Sequence, residues 1–135
     1  APDVTSFLAK QAADAAVSIG TKAIITDSYT GKTARYLAAY RSTNPVLSIC
    51  YSEPIMRSLA LSYGVFPIYQ EEQENARKYF FNALNVLLEK QWIAEDDYVS
   101  YLSGSYGAGF GTSFLEINQI KKLFAGNKKL VLPNF

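Results

Sequence analysis

Two short apolar runs, Ala23-Ile24-Ile25-Thr26 and Val46-Leu47-Ser48-Ile49-Cys50, constrain this chain most, because neither alternates with charged residues as a half-solvated strand would. A strand apolar on both sides must be covered on both faces, which is the pattern of a parallel sheet clad by helices. The segments around these runs read as those helices. From Thr5 to Ile19, Leu8, Ala12, Ala15, Ala16 and Ile19 recur at helical spacing, and Gly20 supplies a stop. Ala34, Leu37 and Ala38 carry a second helix from near Thr30 to about Arg41, ended by Asn44-Pro45. Ser52-Glu53-Pro54 opens a third with a hydroxyl cap, an early acid and an early proline. Its inner stripe is Ile55, Met56, Leu59 and Ala60, and Gly64 stops it.

Val65 to Tyr69 makes a third strand, which Pro67 places at an edge. Gln73 to Lys90 is the longest periodic element, with Ala76, Phe80, Ala83, Leu84, Leu87 and Leu88 on one face. Asp97 to Leu102 and Phe114 to Ile120 read as the fourth and fifth strands. This alternation predicts an α/β three-layer sandwich: a mainly parallel five-stranded sheet, its last strand antiparallel, with helices on both faces. Residues 1–135 suit one domain of ordinary size. Residues 121–135, with two lysine pairs and Leu130-Val131-Leu132, are expected to add an edge strand, pack on a neighbouring subunit or run as a solvated tail.

Composition narrows the chemistry. Thirteen Lys plus Arg against 12 Asp plus Glu leave a net charge of +1, too little for a broad nucleic-acid or anionic-membrane footprint. No run approaches the roughly 20 apolar residues of a membrane span, and no signal-peptide order is present, so a cytoplasmic location is expected. The single cysteine, Cys50, lies inside an apolar run and reads as a buried thiol packing as a small hydrophobe. Histidine is absent, which removes the commonest general base, the usual zinc ligand and every Ser-His or Cys-His arrangement.

What chemistry remains gathers after the first apolar run. Ser28-Tyr29-Thr30-Gly31-Lys32-Thr33 is a hydroxyl-rich turn leading into a helix. Gly31 permits close backbone approach, Ser28, Thr30 and Thr33 can donate hydroxyl hydrogen bonds, and a helix N-terminus favours an anion. Lys32 adds a full charge. Hydroxyl residues are also favoured at helix starts for capping alone. Gly31-Lys32-Thr33 matches only half of the P-loop pattern: Thr26 stands where its first glycine belongs, and no later apolar run ends in a magnesium-holding Asp. The turn therefore reads as an anion cradle without a means of cleaving the anion. A second loop, Gly104-Ser105-Tyr106-Gly107-Ala108-Gly109, follows strand four and would lie beside the first if strands one and four pair. Asp27 and the Asp96-Asp97 pair are the acids expected near this pocket.

Taken together, these segments resemble the C-terminal α/β domain of pyruvate kinase. The likeness runs through Thr21 to Arg35, Tyr40-Arg41, Asn44-Pro45-Val46, Tyr63 to Pro67, Ala83 to Val86 and Leu102 to Phe110, covering roughly residues 4–120. It implies a non-catalytic domain that binds a phosphorylated effector and contributes to a homotetramer, in a glycolytic enzyme that moves phosphate from phosphoenolpyruvate to ADP. The catalytic residues and the magnesium and potassium sites would then belong to a separate barrel, leaving no cofactor in this domain. The resemblance assigns one effector phosphate to Ser28, Thr30, Gly31, Lys32 and Thr33, with Tyr29, which has no fixed counterpart in the family, included as part of the same turn, and the closing loop to Gly104, Ser105, Tyr106, Gly107, Ala108 and Gly109. Lys32 replaces the usual arginine, keeping charge but losing its bidentate fork. The glycine loop is shorter and lacks the arginine that would meet a second phosphate, and the helix position near Tyr79 is uncharged, with Arg77 and Lys78 beside it. A monophosphate, or no effector, is favoured over fructose 1,6-bisphosphate. The alternative is a free-standing sugar-phosphate-binding protein or small enzyme using Lys32 or Tyr106.

Overall fold

The computed structural model describes residues 2–71, 76–104 and 111–126. In chain order the elements are α1 (Val4–Ser18), β1 (Ala23–Ser28), α2 (Lys32–Tyr40), β2 (Val46–Cys50), α3 (Glu53–Leu59), β3 (Val65–Tyr69), α4 (Ala76–Glu89), β4 (Tyr98–Ser103), β5 (Phe114–Gln119) and α5 (Ile120–Gly126). The strands form one sheet in the order β3-β2-β1-β4-β5, parallel except for the β4–β5 pair. Pro67 therefore sits on an edge strand, where its missing N–H breaks no central ladder.

Strand parity divides the core in two. Ile24, Val46, Cys50, Val65 and Leu102 face Ala9 and Ala12 of α1, Ala34 and Leu37 of α2 and Leu59 of α3. Ala23, Ile25, Leu47, Ile49, Val99 and Tyr101 face Phe80, Phe81, Leu84 and Leu87 of α4 and Ile120 and Leu123 of α5. Each apolar run was continuous because alternate residues serve opposite layers. The two layers differ in depth. Beneath α1 and α2 the sheet carries Ser48, Thr26 and Ser100, met by alanines that let the helices approach closely. Beneath α4 the filler is aromatic, with Phe80 stacked on Tyr101 at 4.1 Å between centroids.

The structure differs from the sequence reading mainly at element ends: β1 runs on through Ser28 instead of stopping at Thr26, β4 is Tyr98–Ser103, and Ile19, expected on the inner face of the first helix, is its exposed C-cap. Helix α2 starts at Lys32, two residues later than Thr30, because Gly31 takes φ +80° and so cannot join the helix. Helix α3 ends at Leu59, and Ala60 is exposed instead of completing the inner stripe; residues 60–64 form turns closed by Ser62 N–H on Leu59 O. Ile120 is the first residue of α5 and does not end β5. Residues 120–126 are helical where an edge strand or tail was expected, started by Ile120 N–H on Asp97 O and Lys121 N–H on Glu95 O. The Gln73 start of the fourth helix and the Leu130-Val131-Leu132 run lie outside the described residues.

Candidate functional site

After β1 the chain turns to one side to build β2 and β3, then returns on the other side as β4. That reversal makes the carboxyl ends of β1 and β4 a topological switch point, where diverging connections leave a crevice. The hydroxyl-rich turn leaves from β1 at this crevice, and Gly104 follows β4 beside it. The two loops are joined at their bases. Thr33 Oγ1 lies 2.7 Å from Thr112 Oγ1 in a buried contact that ties the turn to the chain after the glycine loop, and Ser113 N–H on Ser103 O at 2.9 Å closes the base of that loop. Ser105 to Gly109 lie outside the described residues.

Within the turn, Tyr29 and Thr30 are exposed and Gly31 is buried. Its backbone angle favours glycine, and a Cβ there would also meet the Leu59 side chain at 3.1 Å, so that leucine would have to give by a few tenths of an ångström. Lys32 N–H donates to Thr30 Oγ1 at 3.3 Å, folding the hydroxyl back over the start of α2. Helix geometry leaves the N–H groups of Thr33 and Ala34 without intrahelical acceptors, and the first helical bond is Arg35 N–H on Gly31 O. Lys32 is 57 % exposed, with Nζ 5.7 Å from the Tyr36 ring centre and 4.0 Å from Asp3 Oδ1. Arg35, one turn later on the same face, donates to Thr30 O at 2.6 Å and to Ser58 Oγ at 3.0 Å. Two cations thus flank the mouth.

Asp3 is the counter-charge. It caps α1 through Ser6 N–H at 3.0 Å and accepts the Tyr36 hydroxyl at 2.5 Å. The Tyr36 hydrogen bond, helped by Ser6 and Lys32, holds its carboxyl below the usual carboxylate range.

On the α4 side of the same strand end, Asp27 is 4 % exposed. Its Oδ1 accepts the Ser103 hydroxyl at 2.9 Å and its Oδ2 the Tyr51 hydroxyl at 3.2 Å. Burial pushes this carboxyl up despite those two donors, raises Tyr51 far above an ordinary phenol, and lifts Tyr101 to about 12. Tyr29, Tyr51 and Tyr79 follow one another edge-on at 5.3 Å steps, and the Tyr79 hydroxyl donates to the Glu71 carbonyl.

The expected residues do not all converge. Thr33 turns its hydroxyl inward to Thr112, while Thr30, Gly31 and Lys32 stay at the mouth. Asp96 and Asp97 sit at the start of β4, at the opposite end from the crevice, where Asp96 pairs with Lys121 at 2.9 Å and Asp97 accepts Ala94 N–H. Arg77 is engaged by Glu116 on β5 at 2.5 and 3.1 Å. Cys50 is buried, and burial raises its thiol. A separate cleft of about 230 Å³, lined by Lys10, Asp14, Tyr40 and Arg41 among others, opens near the far end of α2. Among the described residues no helix is long and apolar enough to cross a membrane.

Residues 6–118 match the family model described as pyruvate kinase, alpha/beta domain. The chain belongs to the pyruvate kinase family, as its C-terminal α/β domain. It is 35 % identical over 124 residues to a pyruvate kinase of Borreliella burgdorferi, covering 90 % of this chain and 26 % of that protein. A pyruvate kinase of Clostridium acetobutylicum is 33 % identical over 90 residues, covering 67 % of this chain and 19 % of that one. In fold it matches a crystal structure of a pyruvate kinase from Cryptosporidium parvum with TM-score 0.79 and 22 % identity, covering 89 % of this chain and 23 % of that one. The chain thus spans about a quarter or less of the relatives it matches.

Sequence reasoning missed three residues that shape the mouth of this pyruvate kinase domain: Asp3, Arg35 and Thr112. Arg35 was the most accessible of them, since its spacing of three from Lys32 puts both on one helical face. Asp3 announced itself as a cap three residues before Ser6, but nothing local tied it to Lys32. Thr112 reaches Thr33 only through the β1–β4 pairing.

Proposed function

We propose that this chain is the effector-binding and subunit-contact domain of a pyruvate kinase, holding a phosphorylated small molecule at the start of α2. The observation that carries the reading is the switch-point crevice itself. Lys32 and Arg35 flank the first turn of α2 there, and the Thr33–Thr112 contact fixes the base of the glycine loop against that turn. An oxyanion placed at the turn would take N–H donors from the helix start and charge from the two cations. The sequence of the glycine loop, Gly104 to Phe110, holds no arginine or lysine for a second phosphate, which favours a monophosphate over a bisphosphate.

The phosphate transfer from phosphoenolpyruvate to ADP, with its magnesium and potassium, belongs in this reading to the part of the enzyme beyond this chain. Neighbouring domains and subunits are the proposed protein partners, in a cytoplasmic homotetramer.

Calorimetric titration with ribose 5-phosphate, AMP and fructose 1,6-bisphosphate tests the site. Binding weakened about tenfold to a hundredfold by Lys32→Ala or Arg35→Ala, as loss of a charge-assisted hydrogen bond entails, supports it. Binding untouched by both substitutions, or sugar-phosphate turnover by the purified chain, would overturn it.

A further inference from the structure

Asp27 has no place in the anion cradle, yet it is the one described carboxylate buried at the switch point, and its bonds reach all three central strands. It stands one residue before the end of β1. Ser103, which donates to it, is the last residue of β4, and Tyr51, the other donor, immediately follows β2. These are the positions from which the hydroxyl-rich turn, the glycine loop and the entry to α3 depart. Two residues beyond Asp27, Tyr29 rests edge-on against Tyr51, which is braced in turn by Tyr79.

A buried carboxylate at this depth carries a desolvation cost that a leucine would not. The compensating feature is geometric. A carboxylate can accept from Ser103 and Tyr51 at once, and no apolar side chain can fix those two hydroxyls relative to each other. We infer that Asp27 is a positioning residue for the anion loop, clamping the exits of β1, β2 and β4 so that Tyr29 to Lys32 and Gly104 hold one mutual arrangement. This rests on the site reading above for its functional consequence, but the clamp itself is a property of the fold. Asp27 touches no ligand in this account and acts through Ser103 and Tyr51.

The test compares Asp27→Leu, Asp27→Asn and Ser103→Ala in the 135-residue chain. Two readouts are taken: affinity for inorganic phosphate, and amide hydrogen exchange residue by residue. Asparagine keeps the shape and can bond both hydroxyls, one of them reversed, so Asp27→Asn is expected to rescue both readouts to within about threefold of the parent chain. Asp27→Leu and Ser103→Ala are expected to speed exchange at Tyr29 to Lys32 and at Gly104 by tenfold or more, leave Ala83 and Leu84 of α4 unchanged, and weaken phosphate binding by at least tenfold. Should Asp27→Leu fail to fold, Ser103→Ala still removes one arm of the clamp. Exchange that rises uniformly along the chain, or not at all, overturns the proposal. If the parent chain binds no phosphate, the site reading falls, and the exchange pattern by itself still decides for or against the clamp.

Discussion

Replacing Gly31 by alanine tests the geometry of the candidate mouth from two independent directions. At φ +80° an alanine pays roughly 1–2 kcal/mol for the left-handed backbone, whatever the space around it. Its Cβ would also meet Leu59 Cδ2 at 3.1 Å and Cδ1 at 3.3 Å, and Leu59 is fully buried at the α3 contact. Relieving that contact should add up to about 1 kcal/mol, so the total is about 2 kcal/mol. With an unfolding entropy of about 2.1 cal/mol/K per residue, a chain of 135 residues loses about 7 °C in Tm. Thermal and urea melts followed by circular dichroism measure both values. Gly31→Asn separates the terms, because asparagine tolerates the left-handed region but keeps the Cβ contact, and should recover part of the loss. Leu59→Ala separates them from the other side: it costs about 2–5 kcal/mol alone, but in its background Gly31→Ala should cost only the backbone term. Gly31→Ala that leaves the melts unchanged would refute the conformation assigned to this turn. An equal cost in both backgrounds would refute the Leu59 contact.

Three further outcomes follow from buried groups. Thr26 Oγ1 is enclosed beneath α1 and α2 with no hydrogen-bond partner among the described residues, so Thr26→Val should raise stability by about 1 kcal/mol in urea melts; a loss of that size would show the hydroxyl is satisfied. Burial raises the Asp27 carboxyl, so the folded state holds its proton to higher pH than the unfolded chain does. The stability from this group is therefore fully present below the unfolded value of about 4 and lost as pH rises through the folded one. The stability of the parent chain relative to Asp27→Asn should accordingly fall as pH rises above about 4, and a flat difference contradicts the assignment. Cys50 should react with a thiol reagent only at the rate of unfolding, because its side chain is buried and its thiolate disfavoured; prompt reaction in native buffer would contradict the packing.

The sheet was legible because its signals are local. Val46 to Cys50 could be read as doubly covered from five residues, and Pro67 as an edge marker from one. Helix α5 carried a signal too, since Ile120, Leu123 and Phe124 stand at helical spacing before Gly126, but seven residues are too few to outvote the strand that precedes them. The candidate site was legible only in part. Gly31 and Lys32 advertise a special turn, whereas the inward rotation of Thr33 depends on Thr112, 79 residues away. Asp27 read as an acid near a pocket, and its role emerged only when strand pairing set Ser103 and Tyr51 against it. What stays hidden from sequence is the meeting of side chains across strands, not the existence of the strands.

The central claim is that the first turn of α2 receives an oxyanion. Titrating the isotopically labelled chain with inorganic phosphate while following backbone amide resonances tests it most directly. Saturable shifts concentrated at Gly31 to Ala34, and abolished in Lys32→Ala/Arg35→Ala, are the predicted result. Shifts that are absent, or that centre on the cleft around Lys10 and Arg41, would contradict it.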